Sequence, residues 1–510
     1  MIGGSFPRAA PLLALLLVAG CATVPPGPAR QPATTPQLQP CLTLFQEARA
    51  AVEAQAATWP SARVLPGFPY LRVDRFLAWY RGESLDADAF AAWVGHLRAL
   101  DREGWRAEAP RLPADAVATL GSGREALVQR LGECGDRLAA AELAGPAARE
   151  QLRRVARVPR EYSYLQRTLG LYPLTVIPVA EGIRRLHNRI KAAFATPRDE
   201  LPTHGELRRY APQVPAAEGP AAIPLRRDAL GIPRPTPGEL RWLAGAHAPV
   251  WEIDVAGDYD LPGAPVWTGF ERPGIDPERP LAYFYPSWTR HADAVLLQLN
   301  YVIWFGERPR AGAMDLLAGA LDGLNWRVTL DRRGEVLLYD VIHPCGCYHM
   351  AFPGPDLAPR AELRFQPEPP LVPARAPALA AGQRVVVRVA SGSHYLESVY
   401  AATMTAALSY SLRDYAELYL VPGANGKPRG LFRPDGIVPG SERAERWLLW
   451  PMGVPEPGAM RARGRHAIAF AGHRHFADPD LIERLFQSLA GTARPPTTAP
   501  ATMDPRVRRD

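Results

Sequence analysis

The strongest constraint on the fold lies in two segments of alternating character, Trp326-Arg-Val-Thr-Leu330 and Val336-Leu-Leu-Tyr-Asp340, separated by Asp331-Arg-Arg-Gly-Glu335. Trp326, Val328 and Leu330 share one face by the two-residue period of an extended chain, and Gly334 supplies the positive φ that a tight turn requires. The segments pair as an antiparallel hairpin, which commits this part of the chain to sheet. Its second strand runs into His343-Pro-Cys-Gly-Cys-Tyr-His349, where four soft-metal ligands fall on every second residue. A bend at Pro344 and Gly346 can curl His343, Cys345, Cys347 and His349 round one tetrahedral zinc or copper ion. A Cys345–Cys347 disulfide, bare thiols and a catalytic thiolate are the alternatives that these residue types leave open.

Further strands are expected where β-branched and aromatic residues cluster: Val250 to Val255, Leu281 to Tyr285, Leu296 to Phe305, Gln383 to Ala390 and His466 to Phe470. A helix is expected from Tyr395 to about Leu412, and another opened by Asp478 as N-cap with Pro479 at its first position. Earlier in the chain the period changes. Leu42, Phe45, Ala48 and Val52, then Phe90, Trp93, Val94 and Leu97, then Leu127, Leu131, Cys134 and Leu138 recur at three and four residues, the mark of amphipathic helices. The apolar run Leu171 to Ala180 is cut by Pro173 and Pro178, and reads as a buried connector feeding an amphipathic helix from Glu181 to Phe194. The fold class expected is α+β: an all-helical module over 41–198, a Pro/Arg/Gly-rich linker over 199–239, an α+β body with antiparallel hairpins over 240–490, and a disordered tail over 491–510.

The chain opens differently. Arg8 precedes an apolar run, Ala9 to Ala19, too short to span a membrane but right for the core of an export signal. The run ends in Leu17-Val-Ala-Gly-Cys21, which resembles the lipobox of bacterial lipoproteins. This resemblance covers the first 21 residues. It implies a signal peptide over 1–20, fatty-acyl modification of Cys21 and, because Ala22 rather than Asp follows, a place on the periplasmic face of the outer membrane with lipid as the anchoring partner. Residues 21–40, Pro-rich with few large apolar side chains, read as a tether.

The formal charge of +7 comes almost wholly from arginine, since Lys191 and Lys427 are the only lysines. No aromatic-basic nucleic-acid motif accompanies it, so nucleic acid is not expected as a partner. In an oxidising compartment the four cysteines beyond Cys21 invite pairing, and Cys41 with Cys134, both in helices of one module, is the favoured disulfide. Neither a nucleophile elbow nor a phosphate loop nor a zincin helix is present. Seven of the eleven histidines fall in the second half of the chain. Among them His394, one helical turn from Glu397, and the alternating pair His473 and His475 are candidate catalytic groups. Two function classes follow: a metal-dependent hydrolase of an envelope polymer or peptide, with His394, Glu397, His473 or His475 assisting the metal, or a non-catalytic envelope scaffold that docks envelope polymer or protein around a structural Cys pair. The string Leu321-Asp-Gly-Leu-Asn-Trp326 is distinctive but carries no chemistry that residue types alone identify.

Overall fold

The computed structural model describes residues 36–121, 123–213, 225–404, 408–423 and 428–489. Cys21, the signal, most of the tether and the 491–510 tail lie outside the described residues. The expected hairpin forms: Gly319–Leu330 pairs antiparallel with Val336–Ile342, Val328 faces Tyr339, and Gly334 turns the chain at φ 83°. Among the described residues it belongs to a ten-stranded mixed sheet. From edge to edge the strands are Met350–Pro353, Val336–Ile342, Gly319–Leu330, Ala294–Arg308, Leu281–His291, Leu408–Asp414, Glu206–Pro212, Val250–Val255, Gln383–Val389 and Leu396–Thr403. The first five run as an antiparallel meander, whereas Leu408–Asp414 is parallel to both its neighbours and Val250–Val255 is parallel to Gln383–Val389.

Period two sorts the central strands into two unlike faces. One is apolar: Leu297, Leu299, Tyr301, Leu324, Trp326 and Val328 pack with Leu243 of the helix Pro237–His247 and Ile190 of the helix Tyr172–Ala195. The other is polar and buried, with Gln298 opposite Thr329 and Asn300 opposite Arg327. The helical module lies beside the polar face.

That module has its own core, with Leu42, Phe45, Trp93, Leu97, Leu127, Leu131 and Leu138 all buried, and the Cys41–Cys134 disulfide ties two of its helices, Gln39–Ala54 and Arg124–Glu142. It is not purely helical. Arg63–Leu65 and Phe68–Val73 form a small hairpin that brings Arg72 into the core. Arg72 donates to Glu108 at 2.9 and 2.5 Å and to Asp101 at 3.3 Å, and Arg49 and Arg98 complete the cluster around the two carboxylates. Buried charges persist only in such mutual satisfaction.

Several expectations give way. Among its described residues Tyr395–Leu412 holds no helix: Leu396–Thr403 is an edge strand, its β-branched and aromatic residues pairing with Gln383–Val389 through a tight turn in which Gly392 and His394 take positive φ. His466–Phe470 contributes one isolated bridge, Ala467 with His475, rather than a strand. Asp480, not Asp478, precedes the short helix Leu481–Leu485, because the Asp478 carboxylate is engaged by the His475 backbone N–H at 2.9 Å. The stretch expected as a linker gives Glu206–Pro212 to the middle of the sheet. Finally, Leu171–Ala180 is no buried connector. Tyr172–Ala195 is one helix, with Pro173 harmless in its first turn and Pro178 inside it, and Leu171, Leu174 and Ile177 stand in solvent.

Candidate functional site

Past Ile342 the chain leaves the sheet in a turn closed by Gly346 N–H to the His343 carbonyl, 2.8 Å, and His343 N–H to the Cys347 carbonyl, 3.1 Å. Gly346 sits at φ 91°, and a Cβ there would lie 2.3 Å from the Ala467 carbonyl oxygen, so only glycine fits. The turn sends the four expected ligands apart. His343 Nδ1 lies 3.0 Å from Asp322, while His349 Nε2 lies 3.1 Å from Asp340, which Arg327 already grips with two bonds. Cys345 and Cys347 stay adjacent and unlinked, the Cys347 N–H pointing at the Cys345 sulfur at 3.4 Å. The contact with Cys345, together with burial, pushes the Cys347 thiol pKa well up, which disfavours a thiolate. Among the described residues no group of three or more His, Cys, Asp or Glu side chains is placed to hold a metal ion. The tetrahedral arrangement expected of His343, Cys345, Cys347 and His349 is therefore not formed, because two carboxylates on the neighbouring strands claim the two imidazoles in different directions.

The candidate catalytic residues are dispersed as well. His394 is wholly buried, with Nδ1 2.9 Å from Asp322 and Nε2 3.3 Å from Asp260, and its ring stacks on Phe305 at 4.0 Å. Burial pulls its pKa down, but the hydrogen bonds to Asp260 and Asp322 outweigh burial and raise it. His343, on the other side of Asp322, is lowered by burial against the pull of that carboxylate. Glu397 turns instead to Arg388, 3.4 Å away. His473 packs on Tyr162 and accepts from Arg167 at 2.5 Å; burial and that guanidinium push its pKa down to about 4. His475 accepts from the Glu161 N–H at 3.3 Å and faces Asp478. None of these four lines the cleft, about 780 Å³ with its mouth, beside the cysteines, whose walls include Cys345, Cys347, His349, Glu368 and Glu445. There burial pushes the Glu445 carboxyl up to about 7, against Arg443 and Arg308.

A second cleft, about 1260 Å³ with its mouth, opens between the helical module and the polar sheet face. The sheet contributes Tyr285, Ser287, Trp288, Gln298 and Asn300; the module contributes Trp59, Asp74, Phe76 and His96. Asn300 Nδ2 donates to Ser287 Oγ at 2.9 Å and to the Tyr285 carbonyl at 3.3 Å, but its Oδ1 is buried without a partner. Such an acceptor costs stability unless a ligand or water meets it. The arginines reaching this cleft are already engaged: Arg327 with Asp340, Arg75 with Asp478 at 3.7 Å, and Arg463 with Glu103 under the rings of Trp59, Tyr285 and Tyr415. Burial raises the Asp74 carboxyl, against the Leu77 N–H, Arg463 and His96. The cleft thus offers amides, hydroxyls and aromatic faces, and its arginines are engaged.

Sequence reasoning passed over Asp322, Asp260 and Asn300. The one available signal was the Asp322–Asn325 string, in which two polar residues interrupt an apolar strand. No family model, no curated protein and no solved structure matches this chain.

Proposed function

We propose that this chain is a lipid-anchored envelope protein of the outer membrane that binds, without catalysis, a neutral polyhydroxylated segment of envelope polymer in the cleft between helical module and sheet. The observation that carries the reading is the partnerless Asn300 Oδ1, buried in a wall shared with Ser287, Gln298 and Trp288. Sugar rings present hydroxyls that donate and accept, and a C–H face that stacks on aromatic rings; both needs are met here, and the engaged arginines leave no call for an anionic ligand. The metal-hydrolase reading needed the Cys/His turn, Glu397 and His473 around one cleft, and their separation favours binding over hydrolysis.

Calorimetric titration with soluble neutral glycan fragments of the envelope tests the proposal. Asn300→Leu and Trp288→Ala are each expected to weaken binding by about tenfold or more, the cost of losing a buried hydrogen bond or a stacking face. Unchanged affinity in both variants, or hydrolysis of the fragment by the parent, would overturn it. Labelled fatty acid should enter the parent and not Cys21→Ala, which tests the anchor separately.

A further inference from the structure

Exposed large apolar side chains gather on one face of this molecule, at the end of the helical module. Tyr164, Leu165 and Leu169 of the helix Tyr164–Leu169 are 55, 55 and 67% exposed, and Leu171, Leu174 and Ile177 follow at 62, 65 and 63%. Against them packs Trp450–Met452, which the short helix Arg446–Leu449 leads into, with Trp447 74% and Leu448 64% exposed. The packing is specific: Arg167 Nε donates to the Met452 carbonyl at 2.8 Å, Ser163 N–H to the Gly453 carbonyl at 2.6 Å, and Gly170 lies tight against Pro451. The three segments are therefore held side by side. Leaving so many large apolar side chains in water is unusual for a soluble body and marks a surface that something covers.

We infer that this face rests in the interfacial layer of a phospholipid bilayer containing anionic lipid. Three observations select that occupant. The side chains protrude instead of lining a groove, and they mix Leu and Ile with Trp and Tyr, the aromatic residues that settle at the headgroup level. The exposed charge is one-sided: no Asp or Glu occurs from Tyr162 to Ala180, the bordering Glu161 and Glu445 are buried, and Glu181 is paired with Arg184 and Arg185, whereas Arg157 and Arg160 precede the face and Arg446 opens its second segment. Arginine beside such a face attracts anionic headgroups. Finally, only the fourteen residues 22–35 separate Cys21 from the described body. Their reach is at most about 50 Å, less than the roughly 60 Å diameter of a body this size. A chain acylated at Cys21 is thus held within about one molecular diameter of a bilayer surface. Only this last point rests on the anchor, and the face itself requires neither acylation nor a ligand in the cleft.

The test uses the chain from Ala22 onward, which keeps the whole described fold and cannot be acylated, in flotation with vesicles of phosphatidylethanolamine and phosphatidylglycerol. The parent is expected to float with the vesicles. Leu174→Ser/Ile177→Ser/Trp447→Ser is expected to lose at least about tenfold in partition. Phe270→Ser/Phe365→Ser, which removes the equally exposed Phe270 and Phe365 elsewhere on the surface, is expected to float as the parent does. If the triple variant fails to fold, Leu174→Ser and Trp447→Ser singly carry the test, each losing about threefold. A parent that stays unbound, or a triple variant that floats like the parent, overturns the inference. So does a parent that is dimeric in solution and made monomeric by the triple variant, because the face would then be covered by a second copy. Failure of fatty-acid labelling at Cys21 would remove the anchor while leaving this result to stand or fall alone.

Discussion

Two glycines of one helix should respond oppositely to the same substitution. Ala87–Glu108 contains Gly95, exposed with no heavy atom within 4 Å of the position an added Cβ would take, and Gly104, where a Cβ would lie 2.4 Å from Arg72 Cζ. A clash with the tip of a flexible arginine is normally cheap, but Arg72 is 0% exposed and its bonds to Glu108 and Asp101 leave it no other position. Gly95→Ala should stabilise by about 0.5–1 kcal/mol through helix propensity. Gly104→Ala gains the same term and loses the partner of a buried carboxylate, about 3–5 kcal/mol, for a net loss of about 2–4 kcal/mol. Thermal unfolding followed by circular dichroism reads this as a midpoint lowered by roughly 5–10 °C for Gly104→Ala and slightly raised for Gly95→Ala. A Gly104→Ala protein as stable as Gly95→Ala would refute the assignment of Arg72 as the buried clamp of this module. Gly135 stands in the same relation to Arg98, with a Cβ 2.3 Å from its Cζ, and should repeat the result.

Two more outcomes are expected. Replacing Cys41 and Cys134 together by alanine should cost about 4.7 kcal/mol, the loop-closure value for a ring near one hundred residues, given their separation of 93; a shift in urea midpoint corresponding to under about 1 kcal/mol would count against the cross-link. His394, raised by Asp260 and Asp322 against burial, contributes stability that is fully present below its unfolded value of about 6.5 and is lost as pH rises through its higher folded value. Urea midpoints measured from pH 6 upward should therefore fall in the parent and flatten in His394→Gln, and an equal slope in both would sink the assignment.

How far the sequence reached depended on whether neighbours in the chain are also neighbours in space. The hairpin was legible because Trp326, Val328 and Leu330 face the same way locally and Gly334 forces the turn. The Cys41–Cys134 pair was legible because both residues belong to helices with a common core. The α+β class followed from the change of period between the halves. By contrast, Tyr395–Leu412 spells apolar residues at both helical and strand spacing, and pairing with Gln383–Val389 decided the matter in a way local pattern cannot. Leu171–Ala180 misled for the opposite reason: apolar residues imply burial on average, yet Leu174 and Ile177 are exposed. The Cys/His run advertised a metal centre by composition, and only the carboxylates of Asp322 and Asp340, 21 and 9 positions earlier than the histidines they hold, reveal that His343 and His349 are already spoken for.

Asp322 explains why that run takes the shape it has. In Gly319–Leu330 the residues Leu324, Trp326 and Val328 occupy the apolar face, and Asp322, at the same parity, places a carboxylate among them, across from Phe305. A lone carboxylate there would be costly, and two histidines offset the cost: His343 on one oxygen and His394 on the other, with Asp260 behind His394. Burial pushes Asp322 up, but the two imidazoles outweigh it and hold the group well below the usual carboxylate range. The result is a continuous buried chain, Asp260–His394–Asp322–His343, joining the tight turn after Gln383–Val389 to the turn that carries Cys345 and Cys347. Asp340 does the same for His349 at the far end of that turn, and Arg327 balances Asp340. The carboxylates thereby perform the orienting task that a metal ion would perform in a Cys/His site: they fix both ends of the turn and leave the two thiols at the cleft wall. Breaking either anchor should therefore loosen the cysteine-bearing turn before it loosens the sheet, since the strands keep their own ladder bonds on both sides of Asp322 and Asp340.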